Sequence, residues 1–215
     1  MVLLAERACG ELAGSAGPTL ACRVPAGYRA IATSLLSGLR ELPCDVYIST
    51  GGHALLYTTV GSDAIDVIRR VDGECHLLIR AEDHDLFRRF LAAGLRGVLA
   101  DDSLDPTERS RRAYAISTEV VSPLFTSPGG VNREGLAVSQ DVIDSVSEAL
   151  LEGNDLVWAI VARMQKHLTT HTHAINTAIY AVVLAQYLRL GEREDVLDTG
   201  RGALLHDIGK TRISA

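Results

Sequence analysis

The chain has 215 residues, of which 47% are hydrophobic, and a formal net charge of −6. This length is enough for one large domain or two small ones with a buried core. The acidic balance argues against a nucleic-acid polymer as partner, because such binding needs a basic face. The cysteines form no CxxC pair, and the apolar N-terminal run is short and quickly charged. We therefore expect reduced thiols, no membrane span and a cytoplasmic location.

The N-terminal part of the chain alternates short β-prone runs with short helical ones, which is typical of a small mixed α/β domain. Gly51–Gly52 is its clearest turn signal, because two glycines between β-prone runs indicate a hairpin. We assign residues 1–103 to this domain. The predicted strands cover 44–49, 53–60 and 74–80, and the predicted helices cover 31–39, 64–70 and 85–93.

From Asp105 onward the sequence pattern is helical. Pro106 fits the first turn of a helix with Asp105 as its cap, and Ser122–Pro123 predicts that this helix ends near Val121. Ser139 is expected to cap the next helix. We therefore predict a connector helix and loop over 104–138 and part of a helical bundle over 139–215, which makes the fold class α+β. Further helices are predicted over 156–167, 173–190 and 194–208.

A histidine and an aspartate lie side by side near the end of the last predicted helix. His206 offers a neutral nitrogen and Asp207 an anionic oxygen, a pair that can hold a divalent metal. Lys210 lies three residues past Asp207, so it projects to the same side and can meet a phosphate. A tight turn at Gly191–Glu192 predicts that the last two helices pack antiparallel. The helical stretches from His173 to this turn and from the turn to His206 span roughly 25 and 20 Å at about 1.5 Å per residue. His173 and His206 are therefore expected at the same end of the helix pair.

The run from His173 to Ala178, followed by Ala203 to Lys210, resembles the start of the HD-GYP subfamily of HD-domain phosphohydrolases. The resemblance implies a helical bundle that hydrolyses the bacterial messenger cyclic di-GMP with two or three divalent metal ions, often iron or manganese. The segment Cys44–Phe90 resembles, more loosely, a small regulatory domain that often precedes such catalytic domains.

The resemblance also implies roles for individual residues. His173 and His206 would bind separate metals, Asp207 would bridge them, and Lys210 would contact the scissile phosphate. Asp207 and Lys210 would thus be the catalytic residues of a metal-assisted hydrolysis. In it, the metals and Lys210 would stabilise the negative charge that develops on the phosphate.

The sequence departs from the family pattern at three points. The later ligands of the family, further histidines and a final aspartate, have no counterparts in it, and the Gly-Tyr-Pro signature is absent. Members with three metals carry an acidic residue four positions before the first histidine, where Thr169 stands here. We therefore expect two metals in a complete domain, and an incomplete domain that does not hydrolyse cyclic di-GMP by itself.

Two other functions stay open at this stage. The chain could be a non-catalytic signalling or interaction module derived from such a protein, or an HD-type phosphohydrolase that acts on other nucleotides. Homodimerisation is also left open. His167, His171 and His173 form an H-x3-H-x-H pattern, but no glutamate base accompanies it, so we expect no separate zinc site there.

Overall fold

A computed structural model describes residues 24–36, 39–70, 77–127, 131–153, 159–160 and 169–212. The chain divides into two compact units, Met1–Phe90 and Leu91–Ala215. A small antiparallel sheet with short helices occupies the first unit and a helical bundle the second, so the predicted α+β class is confirmed. The predicted boundaries at residues 103 and 138 stay predictions. None of the described helices has both the length and the apolar character needed to cross a bilayer.

The sheet of the first unit contains four antiparallel strands in the order β1–β4–β2–β3. Strands β2 and β3 form a hairpin closed by Gly51 and Gly52, whose φ angles are 57° and 83°. Two successive positive φ angles suit the two-residue turn that the glycine pair predicts. The strands are β1 (Tyr28–Ile31), β2 (Val46–Thr50), β3 (His53–Thr58) and β4 (Leu77–Arg80).

Helices α1 (Thr33–Leu36) and α2 (Ala64–Arg70) lie in the first unit, and helix α3 (His84–Leu99) begins there and continues into the second. Helix α2 has its predicted bounds, whereas α3 is longer than the predicted 85–93. The buried side chains of Leu91 and Leu95 continue its apolar face, and this burial outweighs the low helix propensity of glycine near its end.

Cys44 lies in the first unit, just before β2, and its side chain is buried. Burial raises the pKa of its thiol to about 12, and the carboxylates of Asp83 and Asp45 act in the same direction. The reactive thiolate is therefore scarce at neutral pH, as expected for a structural cysteine. The other cysteines lie outside the described residues.

The second unit is a bundle in which α4 packs against α5 and α6, and α7 packs against α6 and α5. Apolar side chains from all four helices fill its core, among them Val120, Leu124, Val142, Leu150, Ile175, Val182 and Leu204. After α3, the helices described by the structure are α4 (Pro106–Thr126), α5 (Arg133–Glu152), α6 (Thr170–Leu188), α7 (Arg193–Leu205) and a 3-10 helix (Ile208–Arg212).

Helix α4 begins as predicted but ends later. The Asp105 carboxylate accepts hydrogen bonds from the backbone N–H groups of Thr107 and Glu108, at 2.9 and 3.0 Å. The predicted break near Ser122–Pro123 is wrong, because α4 continues through Pro123 to Thr126. Proline costs one backbone hydrogen bond inside a helix, and burial of the neighbouring Val120, Val121 and Leu124 compensates for that loss.

Helix α5 begins before the predicted cap at Ser139. The Asn132 side chain accepts a hydrogen bond from the Gly135 N–H at 2.8 Å and so caps the helix instead. Ser139 is buried within α5. The predicted helix over 156–167 lies outside the described residues except for 159 and 160, which are helical.

The connection between α6 and α7 is the predicted tight turn. Arg189 ends α6 in the left-handed region with φ of 55°, and Gly191 follows with φ of 88°. Glu192 then caps α7 reciprocally with Asp195, each side chain accepting the other's backbone N–H. The two helices therefore run antiparallel in direct contact.

Glu108 should make stability depend on acid pH. Its carboxylate accepts hydrogen bonds from Arg111 and Arg112, which lower its pKa to about 2. A depressed folded pKa stabilises the protein fully above the ordinary value of 4.5, and this contribution is lost as pH falls towards 2. We expect Glu108→Gln to lower the free energy of unfolding at pH 7 by about 0.5–1 kcal/mol, the range of partly exposed ion pairs.

Urea unfolding of Glu108→Gln and wild type at pH 7, 4 and 3 measures this contribution. The difference between them should shrink with acidification. Glu152→Gln, at a more exposed carboxylate with a looser arginine contact of 3.7 Å, is the control and should show little difference at any pH. A constant difference for Glu108→Gln would contradict the assignment to ion pairing.

Candidate metal centre

His173 lies in the first turn of α6. Thr169 precedes this helix as its cap, and its carbonyl accepts the His173 N–H at 2.9 Å. The His173 carbonyl in turn accepts the Thr177 hydroxyl at 2.8 Å. The helix begins three residues before the predicted start at His173, so that His173 is placed on regular helical backbone.

His206 and Asp207 lie where α7 ends. The predicted helix end at residue 208 is wrong by a few residues: the α-helix stops at Leu205, and His206 is its C-cap. The backbone then forms a 3-10 turn, in which hydrogen bonds span three residues. The Lys210 N–H donates to the Asp207 carbonyl at 2.9 Å. His206 and Asp207 therefore lie on a turn between two helical segments.

The imidazole of His206 is held in one tautomer. Its Nδ1 lies 2.8 Å from the carbonyl oxygen of Ala203. Because a carbonyl can only accept, Nδ1 carries the proton in this contact, which leaves Nε2 as the ring nitrogen that can bind a metal. That Nε2 faces the Asp207 carboxylate at 3.3 Å from Oδ2. A backbone contact that fixes the tautomer in this way is a common feature of metal-binding histidines.

The side chains of His173, His206 and Asp207 converge from α6 and the end of α7. The His173 Nε2 lies 3.6 Å from Asp207 Oδ2, and the two imidazole rings are 5.3 Å apart between centroids. One ligand atom from each residue lies within 4.8 Å of the other two. Their roles as metal ligands stay a prediction.

Lys210 pairs with the same carboxylate oxygen. Its Nζ lies 2.6 Å from Asp207 Oδ2. This hydrogen bond holds the pKa of Asp207 below its ordinary value. Partial burial raises that pKa, whereas electrostatic interaction with His206 and His173 lowers it further. Asp207 is therefore an anion at neutral pH, as a metal ligand must be.

The donor set fits a divalent metal. Ligand atoms about 2.0–2.2 Å from one ion lie roughly 3–4 Å from each other, so small side-chain rotations would close the cluster around an ion. Two imidazole nitrogens and a carboxylate oxygen suit several first-row metals, including iron, manganese and zinc. His173 and His206 are partly open to solvent, with 41% and 38% of their side chains exposed, so an ion and a ligand can enter.

His171 and Thr169, which the sequence pattern singled out, lie at the start of α6. His171 is partly buried, with Nε2 3.1 Å from the Thr169 hydroxyl, and burial lowers its pKa despite the nearby Glu119 carboxylate. His167 lies outside the described residues. Thr169, at the position of the acidic residue in three-metal members, hydrogen-bonds the start of α6 through its hydroxyl.

One contact near the cluster was not predicted from the sequence. The Tyr114 hydroxyl of α4 donates a 2.8 Å hydrogen bond to Oδ1 of Asn176, one turn beyond His173. The two residues are 62 positions apart in the chain. Helical periodicity indicates which face of α4 is buried, but it does not identify a partner on another helix.

Comparison with known proteins identifies a family for the segment that carries the cluster. Residues 170–215, which include the whole cluster, match the model of the HD domain family. No curated protein matches the sequence at a significant level. HD domains generally bind divalent metals, and the matched segment contains His173, His206 and Asp207.

A solved structure shares the fold. The chain is similar to Bd1817, an HDG"Y"P protein from Bdellovibrio bacteriovorus, with a TM-score of 0.56 and 18% sequence identity. The similarity covers 85% of this chain and 60% of that protein, so the chain spans less than two thirds of its length. Residues 170–215 thus match the HD domain family, and the chain shares its fold with the Bdellovibrio protein.

Proposed function

We propose that this chain supplies His173, His206 and Asp207 as ligands of a binuclear metal centre in an HD-GYP-type phosphodiesterase that hydrolyses cyclic di-GMP. The observation that carries the proposal is their convergence within 4.8 Å, inside the segment that matches the HD domain. Iron or manganese is the proposed metal, because the imidazole and carboxylate donors suit both.

The chain's own residues would perform three tasks. The two imidazoles and the Asp207 carboxylate hold the metals, which supply Lewis acidity and an activated water when bound. Lys210 carries a positive charge next to Asp207, with 63% of its side chain exposed, so its ammonium can reach a phosphate oxygen. There it offsets the negative charge that develops while water adds to phosphorus and the P–O3′ bond breaks.

The proposed reaction is balanced without a further reactant. Water forms the new bond to phosphorus, the ribose 3′ oxygen leaves with a proton, and a 5′-phosphorylated linear dinucleotide results. No residue of the chain has to become covalently modified, so the reaction requires no serine or cysteine nucleophile.

The test is hydrolysis of cyclic di-GMP by the full product of the gene, loaded with Mn²⁺ or anaerobically with Fe²⁺ and followed by chromatography. We expect the linear dinucleotide to form, and His206→Ala to reduce the rate by more than about 100-fold, as expected for loss of a metal ligand. His53→Ala changes an exposed histidine of β3 and should leave the rate unchanged.

The same assay separates the competing functions. Hydrolysis of other nucleotides but not of cyclic di-GMP would keep a phosphohydrolase and reject the proposed substrate. Metal binding without hydrolysis of any phosphate ester would contradict the enzymatic proposal and favour a non-catalytic signalling module.

A further inference from the structure

His173 lies at the start of α6, where the His173 N–H and the Thr172 hydroxyl both donate to the Thr169 carbonyl at 2.9 Å. The first N–H groups of a helix lack partners within it, so the first turn frays easily. The Thr169 hydroxyl caps α6 with a long contact of 3.5 Å from the Thr172 N–H. These bonds lie within α6 and its cap, so the position of His173 relative to Asp207 depends on contacts of α6 with other elements.

Helix α4 provides such support at the next turn of α6. The Tyr114 hydroxyl donates a hydrogen bond of 2.8 Å to the side-chain oxygen of Asn176. Asn176 follows His173 by three residues, so both lie on neighbouring parts of one helix face. Asn176 is buried, with only 7% of the residue exposed. Breaking a hydrogen bond of a buried polar group is costly. The bond therefore favours one position of α6 relative to α4.

Helix α4 also reaches the other ligand segment. It contacts the 3-10 helix Ile208–Arg212, which begins directly after Asp207 and contains Lys210. One helix thus packs against both segments that carry the cluster. A bond from α4 that sets the position of α6 also sets the separation of His173 from Asp207.

We propose that Tyr114 is a positioning residue of the metal centre. Its hydrogen bond to Asn176 holds the first turns of α6 at the rotation and height at which His173 Nε2 meets the Asp207 carboxylate. Tyr114 touches neither metal nor substrate and acts through Asn176 and the α6 backbone. This inference rests on the proposed metal centre.

Cobalt binding by the purified chain tests the inference through a spectrum instead of a rate. Co²⁺ absorbs in the visible range, and its bands report the geometry of the ligands. We expect Tyr114→Phe, which removes only the hydroxyl, to weaken Co²⁺ binding about tenfold, the lower end for outer partners of metal ligands, and to shift the bands. Ile116→Val, at a core residue of the same helix, controls for a general loss of stability and should leave the spectrum unchanged.

A second measurement needs no metal. The imidazole proton resonances of His173 in the metal-free chain should shift in Tyr114→Phe but not in Ile116→Val, while those of His53 stay in place in both. An unchanged His173 resonance overturns the positioning role, as does an unchanged Co²⁺ spectrum with full affinity. If wild type binds no Co²⁺, the proposed metal centre fails, and a shift of the His173 resonance in Tyr114→Phe would still show that Tyr114 positions this imidazole.

Discussion

Replacing Asp207 by asparagine is expected to weaken Mn²⁺ binding by more than about 100-fold, since even the loss of an outer partner costs about 10- to 100-fold. The carboxylate is the only anionic member of the cluster, and its Oδ2 faces both imidazoles and Lys210. A neutral amide supplies no charge to offset a dication. Isothermal titration of the metal-free chain with Mn²⁺ measures the change.

Lys210→Gln is the matched control in the same segment. It removes the ammonium that pairs with Asp207 at 2.6 Å but leaves all three candidate ligands in place. A protonated lysine has no lone pair to bind a metal, and its loss removes a positive charge that competes for the carboxylate. We therefore expect Mn²⁺ to bind this variant at least as tightly as wild type. Equal weakening in both variants would show that Asp207 acts through its ion pair and not as a ligand.

The arrangement of the cluster depends on features that are local in the sequence. Adjacent positions bring His206 and Asp207 together, and a tight turn at Gly191 makes α6 and α7 antiparallel, so that helix length alone aligns His173 with them. Spacing and turn chemistry therefore predict which residues meet. The exact end of α7 does not follow, because it depends on the 3-10 bonding that begins at Asp207.

Contacts between distant segments explain where prediction failed. Pro123 is a strong local signal for a helix end, yet burial of its neighbours in the bundle outweighs one lost hydrogen bond. Tyrosine and asparagine are common polar residues, so the residue types at 114 and 176 do not indicate a hydrogen-bond partner. Only the packing of α4 on α6 pairs them, and no periodicity in either helix encodes that pairing.

Gly200 marks the closest approach of α7 to its neighbours. A Cβ atom placed there would lie 2.7 Å from Cγ2 of Val182 on α6 and 3.2 Å from the Ser147 hydroxyl on α5. Val182 is fully buried and β-branched, so its side chain has few other rotamers to adopt. The absence of a side chain at Gly200 thus allows three helices to meet.

Gly202, two residues further along α7, offers a matched comparison. A Cβ there meets nothing within 4 Å. Alanine at either position gains about 0.5–1 kcal/mol of helix propensity over glycine, so the difference between the two variants isolates the contact. We expect Gly202→Ala to stabilise the chain by that amount, and overpacking at Gly200 to cost about 1–3 kcal/mol relative to it. Thermal or urea unfolding of both variants measures this difference.

The effect of Gly200→Ala should extend to the metal centre. Helix α7 carries His206 at its C-cap, and α6 carries His173 in its first turn. If alanine pushes α7 away from α6, the two imidazoles separate, and Mn²⁺ should bind more weakly than in Gly202→Ala. Equal affinity and equal stability in the two variants would mean that Val182 yields without moving the helices. A drop in both for Gly200→Ala alone would show that the close packing at Gly200 maintains the ligand geometry at the far end of the same helix.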